Sequence, residues 1–350
     1  MFIREMLKPW GFAPRNAEAI PNAQLDEEYT SAQQPLYSTL PDSDEMQFVQ
    51  GCQNIRMASR TNQRIIMLNK GNSDKGFMVC EDCGAAMPGD DVNVLNDIAR
   101  PYKSKFARSR CRHSNVINVN LGYDFVTDML VLEFAMDSKK IATDAGDNLW
   151  LIRAAQSLAE ALKLATSKEL DVEFTELVTG YRYRRNDNGT FVDIYLYDSL
   201  SSGAGYAVSV SSVVDKLLEN IEESLSTCDC DSACYKCLKH HRNQYTHGVL
   251  DRHSALELLH WGIDGKEADV ISFEEQRRLL FPLRRILSLS GCLLNEQDGK
   301  IIVESKGKTK ELIVYPAMWI EPKENGKIYI SDAYLKFAKP YAVQKIVDEI

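Results

Sequence analysis

The sequence predicts an α+β protein: a mixed sheet with flanking helices, cysteine-bearing knuckle segments and a small C-terminal α/β extension. Three observations lead there. Strand-like and helix-like patterns alternate along the 350 residues without an internal repeat. Hydrophobic residues make up 44% and charged residues 26%, the ordinary balance of a globular chain. Four of the nine cysteines fall within ten positions, CDCDSACYKC at 228–237, a density that core packing alone does not require.

The elements follow in order. Residues 1–50 carry Pro9, Pro14, Pro21, Pro35 and Pro41 and read as an irregular arm. NIRMASR (54–60) and QRIIMLN (63–69) read as two short strands. NKGNSDKG (69–76), with Gly71, Asn72 and Gly76, reads as a chain reversal. YDFVTDMLVLEFAM (123–136) is rich in branched and aromatic residues and predicts a long strand. Residues 148–166 space apolar side chains by three and four and predict an amphipathic helix. ELDVEFTELVTGYRYR (169–184) and TFVDIYLYD (190–198) predict a strand pair turned at NDNG, 186–189. Helices are expected over 207–225, near 253–263 and within 269–289. Short strands are expected near 300–304, 311–315 and 327–330, then two helical segments to the end. The expected divisions are 1–75, an arm with a short β segment; 76–265, the cysteine-rich domain; and 266–350, the α/β extension.

Charge and hydropathy exclude some functions. The net charge of −9 argues against a surface coated with nucleic acid, though not against a local basic groove. No apolar run approaches the roughly 20 residues needed to cross a bilayer, so no membrane partner is expected. MFIREMLKPWGFAPR lacks the apolar core of a signal peptide, so the expected location is the cytoplasm. Thiols stay reduced there, and nine cysteines read better as metal ligands than as disulfides.

The cluster itself points to one ion. Cys228 and Cys230 are separated by one residue, Cys234 and Cys237 by two. The second spacing is a knuckle, a turn that aims two thiolates at a metal. Four thiolates suit structural zinc; iron–sulfur clusters also use four cysteines, and spacing does not decide between them. A closed four-ligand site leaves no position for catalytic water. A second constellation, Cys80, Cys83, Cys111 and His113, has the composition of a structural zinc set of three cysteines and one histidine.

Three basic stretches could meet phosphates. Lys103, Lys105, Arg108 and Arg110 lie in KSKFARSRCRH without an acid. Arg182, Arg184 and Arg185 interleave with tyrosines in YRYRR. KHHRNQYTH (239–247) follows the main cysteine cluster. No GxxxxGK[ST] phosphate loop occurs, so nucleotide hydrolysis by this chain alone is not expected. The acids Asp171, Glu173, Glu176, Asp193 and Asp198 give an alternative, a magnesium-dependent nuclease on a strand pair. A pure scaffold without DNA contact is a further alternative.

The run YLYDSLSSGAGY, then a helix, then CDCDSACYKCLKHHRNQY, then GVLDRHSALELL resembles the MrfA-like zinc-binding domain. That domain is found in superfamily-two DNA helicases, in DISARM DrmB-like proteins and, in related form, at the C-terminus of Druantia-type helicases. Residues 120–262 carry the likeness, most specifically 195–260. It implies zinc on Cys228, Cys230, Cys234 and Cys237, with an upstream pair at Cys80 and Cys83. It places the family's LDR element on Leu250, Asp251 and Arg252; on physical grounds Asp251 would cap the next helix and Arg252 would bind a carboxylate such as Asp198, packing roles favoured over ligand contact. The family's GGAG turn reads SGAG here, Ser202 to Gly205, a mild departure if the first position needs no positive φ. The ATPase lobes of the family are not in this sequence. The resemblance therefore implies a non-motor accessory module that docks a superfamily-two helicase and guides DNA, in anti-phage defence or DNA repair.

Overall fold

A computed structural model of the chain describes residues 6–7, 36–37, 46–71, 75–91, 111–143 and 148–350. Its strands are β1 (Met6–Leu7), β2 (Leu36–Tyr37), β3 (Gln47–Phe48), β4 (Ile55–Asn69), β5 (Phe77–Cys80), β6 (Ala86–Pro88), β7 (Val116–Met136), β8 (Leu177–Asn186), β9 (Gly189–Asp198), β10 (Leu293–Gln297), β11 (Lys300–Ser305), β12 (Lys308–Tyr315) and β13 (Lys327–Ser331). Its helices are α1 (Leu149–Leu170), α2 (Tyr206–Ser209), α3 (Val214–Ser226), α4 (Arg252–Asp264), α5 (Phe273–Leu280), α6 (Arg284–Leu289), α7 (Asp332–Phe337) and α8 (Lys339–Glu349). The class is α+β with mixed pairing. The chain forms two compact units that interleave in sequence. One comprises Met1–Leu40, Thr61–Asp128 and Leu200–Ala204; the other comprises Pro41–Arg60, Met129–Ser199 and Gly205–Ile350.

In the first unit, β5 lies antiparallel between β6 and the early part of β7, with Phe77 opposite Pro88 on one side and Val119 on the other. Phe77, Val79, Val119 and Leu121 form one small core; Met78, Cys80, Ala85 and Cys111 form another. The segment Leu200–Ala204 returns to this unit through backbone bonds. The Ser202 N–H donates to the Val126 carbonyl at 2.7 Å, and Gly203 packs so closely that a Cβ there would lie 2.3 Å from an Asp128 carboxylate oxygen. Ser202 itself has φ +79°, which departs from the sequence expectation. The first position of the SGAG turn does need the left-handed region, and serine accepts it at a steric cost.

In the second unit, the later part of β7 pairs antiparallel with β9 from Met129–Tyr197 to Met136–Thr190. β8 and β9 form the expected hairpin, closed by Asn186 opposite Gly189 around Asp187 and Asn188. Alternation sorts β9: Val192, Ile194 and Leu196 enter the main core. α1 supplies Trp150, Leu151, Ala154, Leu158 and Leu162 to the same core, joined by α3 and α4. Asn148 caps α1, its side chain accepting the Leu151 N–H. The helix outruns its predicted end by four residues because nothing before Asp171 breaks it. Asp171, at φ +52°, then stops it. β8 consequently starts at Leu177, after a single 3₁₀ turn, rather than at 169.

The two strands expected over 54–69 are one, β4, with Asn62 at φ +56° inside it. β10–β11–β12 is an antiparallel meander, and β13 runs parallel to β12. Leu283, Leu287, Val303, Ile328, Ile330 and Ile346 form a separate core for this region. No helix among the described residues is long and apolar enough to cross a membrane.

Candidate metal centres

The segment after α3 has no regular structure until a 3₁₀ turn at His241–Thr246. What shapes it is the approach of four sulfurs. Cys228 Sγ lies 3.5 Å from Cys230 Sγ and 3.6 Å from Cys234 Sγ; Cys237 Sγ lies 3.7 Å from Cys230 Sγ and 3.8 Å from Cys234 Sγ. All four cysteines are free, and these separations are far beyond a disulfide bond. A tetrahedron with metal–sulfur bonds of about 2.3 Å has edges of about 3.8 Å. One ion therefore fits between the four thiolates. A cluster would spread its cysteines over separate irons, so the geometry settles what spacing left open.

The turn is built for this. The Cys234 carbonyl accepts N–H bonds from Cys237, Leu238 and Lys239 at 3.2, 3.1 and 2.9 Å. The Cys234 and Lys236 N–H groups donate to the sulfurs of Cys237 and Cys234. That last bond holds the Cys234 thiol down to about 7, whereas burial pushes Cys230 up to about 12. Unequal neighbours of this kind become four thiolates only against a cation. Ala233, Cys237 and Leu238 also reach the main core, so the knuckle is anchored on hydrophobic packing as well as on its ligands.

The LDR element fastens the loop from outside. Leu250 is buried in the core. Asp251 caps α4, accepting the Ser254 N–H at 3.1 Å, as the sequence reading expected. Arg252 does something else. Its guanidinium donates to the carbonyls of Cys230 (2.8 Å) and Leu225 (2.9 Å), and its own N–H to the Ser232 carbonyl. It thus grips the ligand loop and does not pair with Asp198. Asp198 accepts the N–H groups of Tyr206 and Ala207 instead. His240 and Asn243 are supports that sequence reasoning missed. His240 Nδ1 accepts the Arg242 N–H, which leaves Nε2–H to donate to Glu160 on α1 at 2.5 Å. Asn243 donates to the Leu238 carbonyl at 2.8 Å. The signal available was only a polar run after the fourth cysteine.

In the first unit, Cys80, Cys83, Cys111 and His113 also converge. Cys80 Sγ is 3.7 Å from Cys111 Sγ, and Cys83 Sγ is 3.4 Å from His113 Nδ1. His113 takes φ +51° to present its ring, and Gly84, at φ +78°, completes the turn after Cys83. Burial pushes the Cys83 thiol up to about 12, while the His113 N–H draws Cys111 down. These two quartets are the groups of three or more possible ligands that gather within 4.8 Å among the described residues.

The other candidate residues are placed differently. Lys103, Lys105, Arg108 and Arg110 lie outside the described residues. Arg182 and Arg184 both bind the buried Asp193, at 2.8 and 2.6 Å, and Arg184 also binds Glu133, which Arg56 shares. Their charge is therefore largely met within the sheet, whereas Arg185 is exposed. Asp193 and Asp198 are thereby committed to guanidinium and helix N–H groups. The acids of the β8–β9 pair do not gather into a magnesium site among the described residues.

Fold and sites define an α+β protein with two quartets suited to zinc, one of four cysteines and one of three cysteines and a histidine. Comparison narrows this. The family profile of the MrfA Zn-binding domain matches residues 158–238, a stretch that holds Cys228, Cys230, Cys234 and Cys237. Druantia protein DruE of Escherichia coli is 30% identical over 342 residues, 93% of this chain; the chain spans only 19% of that protein. An uncharacterized protein of Methanocaldococcus jannaschii is 29% identical over 85 residues, 23% of this chain and 76% of the relative. Among solved structures, the DUF1998 helicase MrfA bound to DNA aligns with a TM-score of 0.39 at 12% identity, over 66% of this chain and 25% of that one.

Proposed function

We propose that the chain is a non-motor zinc module of a DNA helicase or translocase assembly, serving anti-phage defence or DNA repair in the reducing cytoplasm. It docks a superfamily-two motor and guides DNA; ATP-driven movement belongs to the motor. The observation that carries this reading is the braced four-thiolate centre inside the stretch that matches the MrfA Zn-binding domain. The similarity to Druantia protein DruE supports a helicase-linked setting. The zinc is structural, since four protein ligands close each site.

The guiding surface is the outside of the knuckle. Lys236, His241 and Arg242 are exposed and Lys239 is half-buried. Tyr235 and Tyr245 stand out at 74% and 92% exposure. Cations beside protruding aromatic rings suit a backbone with bases stacked against it. Arg185, also exposed, is a further candidate contact, whereas Arg182 and Arg184 are engaged by Asp193.

The test is binding of a labelled single strand across a salt series. Affinity should fall linearly on logarithmic axes. Replacing Lys236, Lys239 and Arg242 together by alanine should flatten that slope by about two to three units. Binding that ignores both salt and the triple substitution would refute the guiding role.

A further inference from the structure

The two cysteine quartets are supported differently. At the four-cysteine centre, the N–H groups of Cys234 and Lys236 donate to ligand sulfurs, and Ala233, Cys237 and Leu238 belong to the main core. Arg252 holds the Cys230 carbonyl and Asn243 the Leu238 carbonyl. At the other centre the support is local. The Gly84 N–H donates to the Cys80 carbonyl at 2.8 Å, the Cys80 N–H to the Ala85 carbonyl at 2.9 Å, and the His113 N–H to Cys111 Sγ at 3.4 Å. Among the described residues, Met78 and Ala85 complete the buried cluster around Cys80 and Cys111.

His113 is the weak member of its quartet. It is buried and takes φ +51°, a region in which a side chain is strained. Nδ1 is the nitrogen beside Cys83 Sγ, so it is the one placed for a metal. A neutral imidazole that ligates through Nδ1 carries its proton on Nε2. Here Nε2 is buried and has no hydrogen-bond partner among the described residues. Metal-binding histidines almost always give this second N–H to an acceptor, and losing the acceptor weakens metal affinity by roughly tenfold to hundredfold. His240 supplies the contrast within the same chain: it is no ligand, yet both of its ring nitrogens are bonded.

We propose that the centre of Cys80, Cys83, Cys111 and His113 is an exchangeable zinc site, through which the level of free zinc sets the order of the first unit. The four-cysteine ion is the permanent one. This inference rests on reading both quartets as zinc centres and goes beyond that reading by giving them different tasks. For a segment with little core of its own, metal binding is folding free energy, so order follows occupancy. Without the ion, the turn at Cys80–Gly84 is left to the small clusters around Met78 and Phe77. The second unit keeps its large core.

The experiment titrates the zinc-loaded, reduced protein with a chelator. Native mass spectrometry counts the ions, and a pulse of N-ethylmaleimide with peptide mapping reports which thiols are free. A one-zinc species should persist over about a tenfold range of chelator or more, with Cys80, Cys83 and Cys111 alkylated and Cys228, Cys230, Cys234 and Cys237 protected. Hydrogen exchange within that range should accelerate across β5, stay level in α1 and β9, and recover when zinc is restored. His113→Cys supplies a thiolate that needs no outer acceptor, and it should narrow the range severalfold. Simultaneous loss of both ions, or earlier loss from the four-cysteine centre, would overturn the proposal. So would a one-zinc species whose β5 exchanges as slowly as in the loaded protein, or a folded His113→Cys variant with the parental range. A protein that takes up no zinc at all would instead remove the reading of the quartets, and this proposal with it.

Discussion

Ser202 occupies the left-handed region, beside a Gly203 that has no room for a Cβ. The sequence alone presents SGAG as a small departure from GGAG, because a sequence does not print φ. Ser202→Gly should therefore stabilise the protein by about 0.5–1 kcal/mol, relief of steric strain being partly offset by chain entropy. Chemical denaturation with an unchanged slope would read this as a higher midpoint. A lower midpoint would show that the serine side chain contributes something the strain argument omits. Arg252 teaches a similar lesson. Its guanidinium suggested a carboxylate partner, but its reach ends on two carbonyls, one of them in the ligand loop. Sequence identifies a strong donor; only the fold says which acceptors stand in front of it.

At the scale of elements, legibility followed the strength of the local signal. α1 was readable from its period, and the β8–β9 hairpin from NDNG. β10 was overlooked, since its five residues are mostly exposed and carry little alternation. The Asp298–Gly299 turn, with both φ values positive, was the available clue. β4 was split in two at Asn62 because a polar pair resembles a loop when its neighbours across the sheet are unseen. The cysteine knuckle was readable from spacing alone, but its braces at His240, Asn243 and Arg252 were not, because they act over sequence distances of up to 80 residues. These braces make a specific expectation. Arg252→Ala removes the two guanidinium bonds that tie the ligand loop to the end of α3 without touching a ligand. Zinc should then leave the four-cysteine centre severalfold faster to a chelator with a colorimetric readout, while the centre that includes His113 releases at its parental rate. An unchanged rate at the four-cysteine centre would deny this tie.

For the whole molecule, hydrophobic burial and ligand binding divide the task of folding. α1, α3, α4 and the β7–β9 sheet bury a large continuous core, and the C-terminal meander has its own. Among the described residues, the region around Cys80, Cys83, Cys111 and His113 has small apolar clusters. There a bound ion contributes what packing does not, of the order of 10–16 kcal/mol for a structural zinc site. The sequence did not reveal this division, since its densest cysteine run, at 228–237, packs on the large core. Nor did it indicate that the two units interleave, because that depends on pairings between distant segments. The most direct test of the account is the metal content of the intact, reduced protein, by native mass spectrometry beside elemental analysis. The account predicts two zinc ions per chain, falling to one in Cys234→Ser. A cooperatively folded protein that carries neither zinc nor iron would contradict it.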